Sequence, residues 1–236
     1  MKTPEGRFQA LINGKSLPGS IFVNRAGRRF ANEAGPYEDV VKAQYQRHRD
    51  GEDSIPCYMI FDGRFRRHYA VGMIPPAKAV PDHRLAPGFQ SILKKADSLP
   101  ALAEQLGIDS AGLLATVERV NALAERGVDE DFGRGESLHD RYYCDPQHSP
   151  NPTFGALREA PFYAIEIYPG DLDTKGGLRC DELARVLDGE GQPIAGLYAA
   201  GNCSAAVMGN SYPGAGATLG PAMTFAYIAA RHALSS

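Results

Sequence analysis

Apolar and polar positions along the chain follow both strand-like and helix-like rhythms, and together they predict an α+β fold. Ser20 to Asn24 places Ile21, Phe22 and Val23 in one run and reads as a strand. Arg25-Ala26-Gly27-Arg28 follows as a turn, a hairpin-like signal between apolar runs. A helix is predicted from about Pro36 to Arg49, with proline acceptable in its first turn and Val40, Val41 and Tyr45 on one face. Pro56 to Asp62 reads as a buried strand, and a short basic helix follows near Gly63 to Tyr69. Residues 70–90 are rich in proline and poor in periodicity, which predicts a surface loop. A helix capped by Ser98, with Pro100 in its first turn, ends near Gly107. The next starts at Asp109 or Ser110 and puts Leu113, Val117, Val120 and Ala124 on one stripe. Residues 128–160 are irregular, Phe162 to Tyr168 alternates as a strand, and Val186 to Ile194 encloses the turn Asp188-Gly189-Glu190-Gly191 of a hairpin.

The C-terminal stretch carries the most chemistry. Ile194 to Gly201 is a short apolar strand ending in small residues, and Asn202 to Ser211 forms a loop. Tyr212-Pro213-Gly214-Ala215-Gly216-Ala217-Thr218 then runs directly into an apolar helix, Leu219 to His232. Such an arrangement aims backbone N–H groups and the positive end of a helix at whatever lies before it. The spacing is not that of a dinucleotide loop: Gly214 and Gly216 fit G-x-G-x-x-G, but Leu219 holds the third glycine position and no strand–helix–strand unit follows. What remains is an electropositive helix start suited to a developing anion, such as the N1–C2=O edge of a flavin on reduction. A plain helix cap without a ligand is the competing reading.

Composition narrows the partners. The chain has 236 residues, a formal net charge of −3 and 43% hydrophobic residues, enough for a sizeable core. That charge leaves no footprint for nucleic acid or an anionic membrane, and the basic run Arg64-Phe65-Arg66-Arg67 reads as a solvated helix face. Met1 to Lys15 lacks the apolar core of a signal peptide, and no window approaches the roughly 20 apolar residues of a transmembrane helix. Cys57, Cys144, Cys180 and Cys203 are scattered, as expected for thiols of a cytoplasmic protein. His139, Asp140, Cys144, Asp145 and His148 match no standard zinc spacing, so they read as a surface loop and no metal is expected.

Two strings add a family. Gly196 to Arg231 (G-L-Y-A-A-G-N-C-S-A-A-V-M-G-N-S-Y-P-G-A-G-A-T-L-G-P-A-M-T-F-A-Y-I-A-A-R) and Pro169-Gly170-Asp171-Leu172-Asp173-Thr174-Lys175-Gly176-Gly177-Leu178 resemble the C-terminal signature of 3-ketosteroid Δ1-dehydrogenases. Gly27-Arg28-Arg29-Phe30-Ala31-Asn32-Glu33 resembles the entry to the substrate domain in the wider fumarate reductase/succinate dehydrogenase flavoprotein superfamily. Fumarate reductases and succinate dehydrogenases carry a histidine just before the Gly-Gly to hold a carboxylate. Asp171 to Lys175 has none, which favours a neutral ketone.

The resemblance implies FAD as cofactor and a small, hydrophobic, steroid-like ketone as substrate. Tyr212 and Gly216 then hold the ketone oxygen, and Tyr37 is the matching position for the base. Contacts to the flavin fall to Gly201, Asn202, Gly214, Ala215, Ala217, Thr218 and Leu219. A tyrosine with the ordinary pKa of about 10 needs help to act as a base at neutral pH. In the family that help comes from a tyrosine of the N-terminal flavin domain, which has no counterpart here. The implied organisation is a leader or linker over 1–17, a substrate domain over 18–168, and over 169–236 the return segment of a Rossmann-like FAD domain. The remainder of that domain is expected on a missing N-terminal part or a complementing chain, as in a truncated product or a split enzyme. Competing readings are a superfamily flavoprotein acting on another ketone or enone, and an inactive fragment or assembly partner.

Overall fold

The computed structural model describes every residue except Lys2, Phe8 and Ser236. The chain forms two compact units, Met1–Gly170 and Asp171–Ser236.

The first unit is built on a four-stranded sheet of β1 (Ser20–Val23), β2 (Cys57–Phe61), β3 (Lys94–Ala96) and β4 (Phe162–Ile167), in the order β1-β2-β4-β3. Every pairing is antiparallel. Antiparallel sheets often leave one face to water, but here both faces are covered. Ile21, Val23, Tyr58 and Ile60 point to one side, packing with Leu102, Leu113, Val117 and Val120. Phe22, Met59, Phe61 and Ile165 point to the other, with Val40, Phe65, Val71 and Ile74. Side chains alternate along a strand, so two buried faces require an unbroken apolar run, which is what residues 57–61 supply.

The helices of this unit are α1 (Tyr37–Arg49), α2 (Gly63–His68), α3 (Pro87–Ile92), α4 (Leu99–Leu106), α5 (Ser110–Arg126) and α6 (Leu138–Tyr142). Their ends are set locally. Ser98 accepts from Ala101 N, Asp109 from Ala111 N and Asp62 from Phe65 N, each satisfying an orphan donor of a first turn. Gly107 (φ +64°) stops α4 in the left-handed conformation that glycine adopts at no steric cost.

Four expectations need correction. The turn at residues 25–28 forms, with Asn24 N donating to Arg28 O, but β1 pairs with β2 and makes no hairpin with the segment after the turn. Tyr45 is exposed. Helix α1 buries Val40 and Gln44, and the Gln44 amide donates to Ser54 O at 2.8 Å and Ile167 O at 3.3 Å. Residues 70–90 are not wholly a surface loop: Val71 and Ile74 are fully buried, and α3 begins at Pro87. Arg66 is not on a solvated face. It is buried, and its guanidinium donates to Asp82 Oδ1 at 3.0 Å and Pro75 O at 2.6 Å, pinning the loop that follows α2.

The second unit holds the hairpin β5 (Arg185–Leu187) and β6 (Pro193–Tyr198), a 3₁₀ turn at Gly201–Cys203 and the helix α7 (Leu219–Ser235). Tyr198 Oη lies 2.7 Å from His232 Nδ1, which links the end of β6 to the last turns of α7. Helix α7 buries none of its residues, and Leu219, Met223 and Tyr227 are exposed. Among the described residues no helix is long and apolar enough to cross a membrane.

Candidate active site

In the first unit, Tyr37 is the first residue of α1, directly after the Pro36 cap, and is half-buried. The chain reaches it through a tight turn. Asn32 Oδ1 accepts from Ala34 N at 2.9 Å and Gly35 N at 3.2 Å, while Asn32 Nδ2 donates to Asp140 Oδ2 at 2.9 Å.

Behind the turn lies a buried ionic network. Arg29 donates to both carboxylate oxygens of Glu33 and to both of Asp129, and Arg134 donates to Glu33 Oε2 at 3.0 Å. Burial alone would raise the pKa of Glu33, but the Arg29 and Arg134 guanidiniums hold it down to about 2. Glu33 Oε1 also accepts from Phe22 N at 3.0 Å, which ties the network to β1. Lys15 donates to Glu33 O at 2.8 Å and to Gly35 O at 2.5 Å.

In the second unit, Tyr212 and Gly216 lie on the segment leading into α7. A cavity of about 50 Å³ is lined by Lys175, Asn202, Ser211, Tyr212, Thr218 and Phe225, among others. Gly201 and Ala217 also reach it, whereas Gly214, Ala215, Gly216 and Leu219 do not. Those four belong to the adjoining turn and helix start, where Gly220 N donates to Gly216 O at 2.8 Å and Ala217 N to Gly214 O at 3.2 Å. Gly216 has φ +91°, and a Cβ built there would meet nothing within 4 Å. Asn202 Nδ2 is held by the carboxylate of Asp173.

Lys175 escaped the sequence reading as a site residue. Its ammonium donates to Ser211 O at 2.5 Å, fastening the Gly-Gly string to the loop that carries Tyr212. The signal available was its place within Asp171-Leu172-Asp173-Thr174-Lys175-Gly176-Gly177. Lys15, Asp129 and Arg134 were missed as well, because their partners are distant in sequence, and Asp140, expected on a surface loop, is instead buried in α6, where it accepts from Gly135 N and Asn32 Nδ2.

The donor set suits an electron-rich aromatic edge. Residues 201–236 contain no aspartate or glutamate, and the start of α7 is flanked by small residues and by the Thr218 hydroxyl. The positive end of the helix favours negative charge at that position. The family described as "FAD binding domain" matches residues 3–219. The chain belongs to that family.

Relatives sharpen the comparison. The chain is similar to 3-oxosteroid 1-dehydrogenase of Mycobacterium tuberculosis, with 46% identity over 225 residues, 94% of this chain and 39% of that protein. It is 42% identical to 4-oxocyclohexanecarboxylate 2-dehydrogenase of Sinomonas cyclohexanicum, over 91% of this chain and 36% of the relative. Among solved structures it resembles 3-ketosteroid Δ1-dehydrogenase from Sterolibacterium denitrificans in complex with 1,4-androstadiene-3,17-dione. The TM-score is 0.90 and the identity 44%, covering 96% of this chain and 41% of that one. The chain thus spans about two fifths of the length of these proteins. The resemblance first carried by residues 169–178 and 196–231 therefore extends along nearly the whole sequence.

Proposed function

We propose that this chain supplies the substrate domain and the flavin-contacting return segment of a FAD-dependent dehydrogenase that desaturates a 3-ketosteroid or related cyclic ketone beside its carbonyl. The observation that carries the reading is the likeness of nearly all of this chain to about two fifths of a ketosteroid dehydrogenase captured with a steroid dienone. The Tyr212-x-x-x-Gly216 pair before a carboxylate-free helix supports it.

In this reading residues 18–168 form the substrate domain, and residues 169–236 complete a Rossmann-like FAD domain. The exposed apolar face of α7, with Leu219, Met223 and Tyr227, packs against the rest of that domain. Gly201, Asn202, Gly214, Ala215, Ala217, Thr218 and Leu219 hold the isoalloxazine side of the cofactor. A cytoplasmic setting, where the four cysteines stay as thiols, belongs to the same reading.

When bound, FAD supplies the acceptor for the hydride. The protein's own residues do the rest. The Tyr212 hydroxyl and the Gly216 N–H donate to the ketone oxygen, drawing charge onto it and acidifying the adjacent C–H. Tyr37 takes the α-proton. Loss of that proton and of a hydride from the neighbouring carbon leaves the new C=C bond. An oxyanion donor contributes about 3 kcal/mol in known sites, so two account for a larger share of the barrier than a base of modest strength.

The deciding experiment is anaerobic mixing of the flavin-loaded enzyme with a panel of 3-ketosteroids, followed by flavin absorbance. Bleaching with formation of the 1,2-unsaturated ketone is expected. No bleaching with any steroid would refute the steroid assignment. A second reading, a monocyclic oxo acid as substrate, rests on the 42% identity to the cyclohexanecarboxylate enzyme. Bleaching by 4-oxocyclohexanecarboxylate alone would favour it.

A further inference from the structure

Lys15 sits in a 3₁₀ turn, Gly14–Ser16, and is 4% exposed. Its ammonium spends two donors on main-chain carbonyls, Glu33 O at 2.8 Å and Gly35 O at 2.5 Å. These carbonyls flank Ala34, which is itself buried, and the chain passes from Gly35 through Pro36 straight to Tyr37. The charged groups around it come from every side of that turn. Arg134 donates from the loop before α6 to Lys15 O at 3.2 Å, and Asp140 of α6, Glu33 and Asp39 of α1 act on the ammonium through space. Burying an ammonium is costly, and a main-chain clamp gives that burial a use. Hydrogen bonds from a charged donor are roughly twice as strong as neutral ones.

We propose that Lys15 is a positioning residue: by clamping the carbonyls on either side of Ala34, its ammonium sets how the chain enters α1 and thereby where the Tyr37 ring is presented. The inference rests on the assignment of Tyr37 as base. It adds that the base's placement depends on a residue that touches neither substrate nor cofactor. A 1 Å misplacement of a reacting group costs about 10²-fold in rate, so losing the clamp should act on the chemical step and spare ketone binding.

The test uses Lys15→Met in the flavin-loaded enzyme, since methionine keeps much of the length and removes every donor. The expected result is a rate of flavin reduction lowered about 10-fold or more, with the steroid dissociation constant within about twofold of wild type. Amide hydrogen exchange over residues 34–40 should accelerate, with little change elsewhere in the first unit. A rate within twofold of wild type overturns the inference. So does a loss of rate matched by an equal loss of affinity, or exchange that speeds up throughout the unit, because each marks a merely structural role. Should Lys15→Met fail to fold, Lys15→Gln keeps a donor on a shorter stem and is judged by the same criteria. Tyr37→Phe run alongside separates the two assignments. If it leaves the rate intact, the base reading fails. If it abolishes the rate while both Lys15 variants keep theirs, only the Lys15 inference fails.

Discussion

The Glu33 carboxylate lies 3.0 Å from Arg134 Nη1, and neither side chain is exposed to solvent. Arg29 completes the group by bridging Glu33 and Asp129, each contact 2.8 Å long. Replacing such a group wholesale by apolar residues can be harmless, but removing one partner strands the others and costs about 3–5 kcal/mol. Glu33→Gln removes the buried negative charge opposite Arg134 and Arg29 and replaces one carboxylate oxygen with an NH2 donor that faces their N–H groups. It is therefore expected to lower the denaturant midpoint by the equivalent of several kcal/mol. A shift worth less than about 1 kcal/mol, the ordinary surface value, would count against the network as a structural support.

The same network makes stability rise with pH in two separate windows, one acid and one alkaline. Glu33 is held at about 2, below its ordinary 4.5, so its contribution is complete above 4.5 and is lost as pH falls from there toward 2. Lys15 acts in the same direction, through relief of a penalty rather than gain of an attraction. Burial first, and Arg134 second, lower its pKa from 10.5 to about 8. The folded state then binds its proton less tightly than the unfolded chain does, so the penalty present below pH 8 is relieved as pH rises from about 8 to 10.5. Urea midpoints of wild type and Lys15→Met compared across that window should diverge with rising pH, the wild type gaining. A constant difference would mean that Lys15 does not titrate there.

Gly216 offers a test independent of any ionisable group. With φ +91°, it occupies backbone space that L side chains rarely adopt, and a methyl group there would stand in open space. Gly216→Ala is expected to cost about 1–2 kcal/mol of local backbone energy and to disturb the N–H assigned to the ketone oxygen. Global stability should fall by no more than that local cost, since a methyl group there meets nothing within 4 Å. Activity should fall about 10²-fold. Unchanged turnover would remove Gly216 from the oxyanion pair.

What was legible in the sequence was what local physics decides. Ser98, Asp109 and the stripe Leu113, Val117, Val120 and Ala124 announce their helices, because capping and helical periodicity act within a few residues. The pairing of β1 with β2 was not legible, since residues 24–56 intervene and the turn at 25–28 points to a hairpin. Arg66 read as a surface residue, and Gln44 drew no notice, because nothing local reveals a distant carbonyl or carboxylate waiting for them. For the same reason the network around Glu33 stayed hidden: Arg29–Asp129 and Glu33–Arg134 join residues about a hundred positions apart. Tyr212 and Gly216, proposed here as the pair on the ketone oxygen, were singled out through long motif strings, while Lys15 and Arg134, which stand behind the turn leading to Tyr37, had no such string.

Tyr212→Phe removes one hydroxyl and leaves a ring of nearly the same volume. The residue is half-buried and lines the small cavity of the second unit. If its hydroxyl holds the ketone oxygen, kcat should drop about 10²-fold or more with little change in the unfolding midpoint. An unaltered kcat would take Tyr212 out of the oxyanion role and leave Gly216 as its remaining candidate.

Tyr37→Phe separates a base from a packing residue, because the two roles give opposite kinetic signatures. A base takes part only as the C–H bond breaks, so its loss is felt in the transition state and not in ketone binding. The variant should therefore bind the ketone about as well as wild type. It should also fail to exchange the substrate's α-proton with solvent deuterium. If Tyr37 merely packs at the start of α1, phenylalanine fills the same space and exchange persists. The buried hydrogen bonds of the preceding turn, from Asn32 to Ala34 and Gly35 and from Lys15 to Glu33 and Gly35, do not involve the phenol. Loss of exchange in a folded variant would then be attributable to the hydroxyl itself. Persistent exchange would sink the assignment, and attention would pass first to Tyr45, which is exposed on the same helix, rather than to Tyr58, which is buried within the sheet.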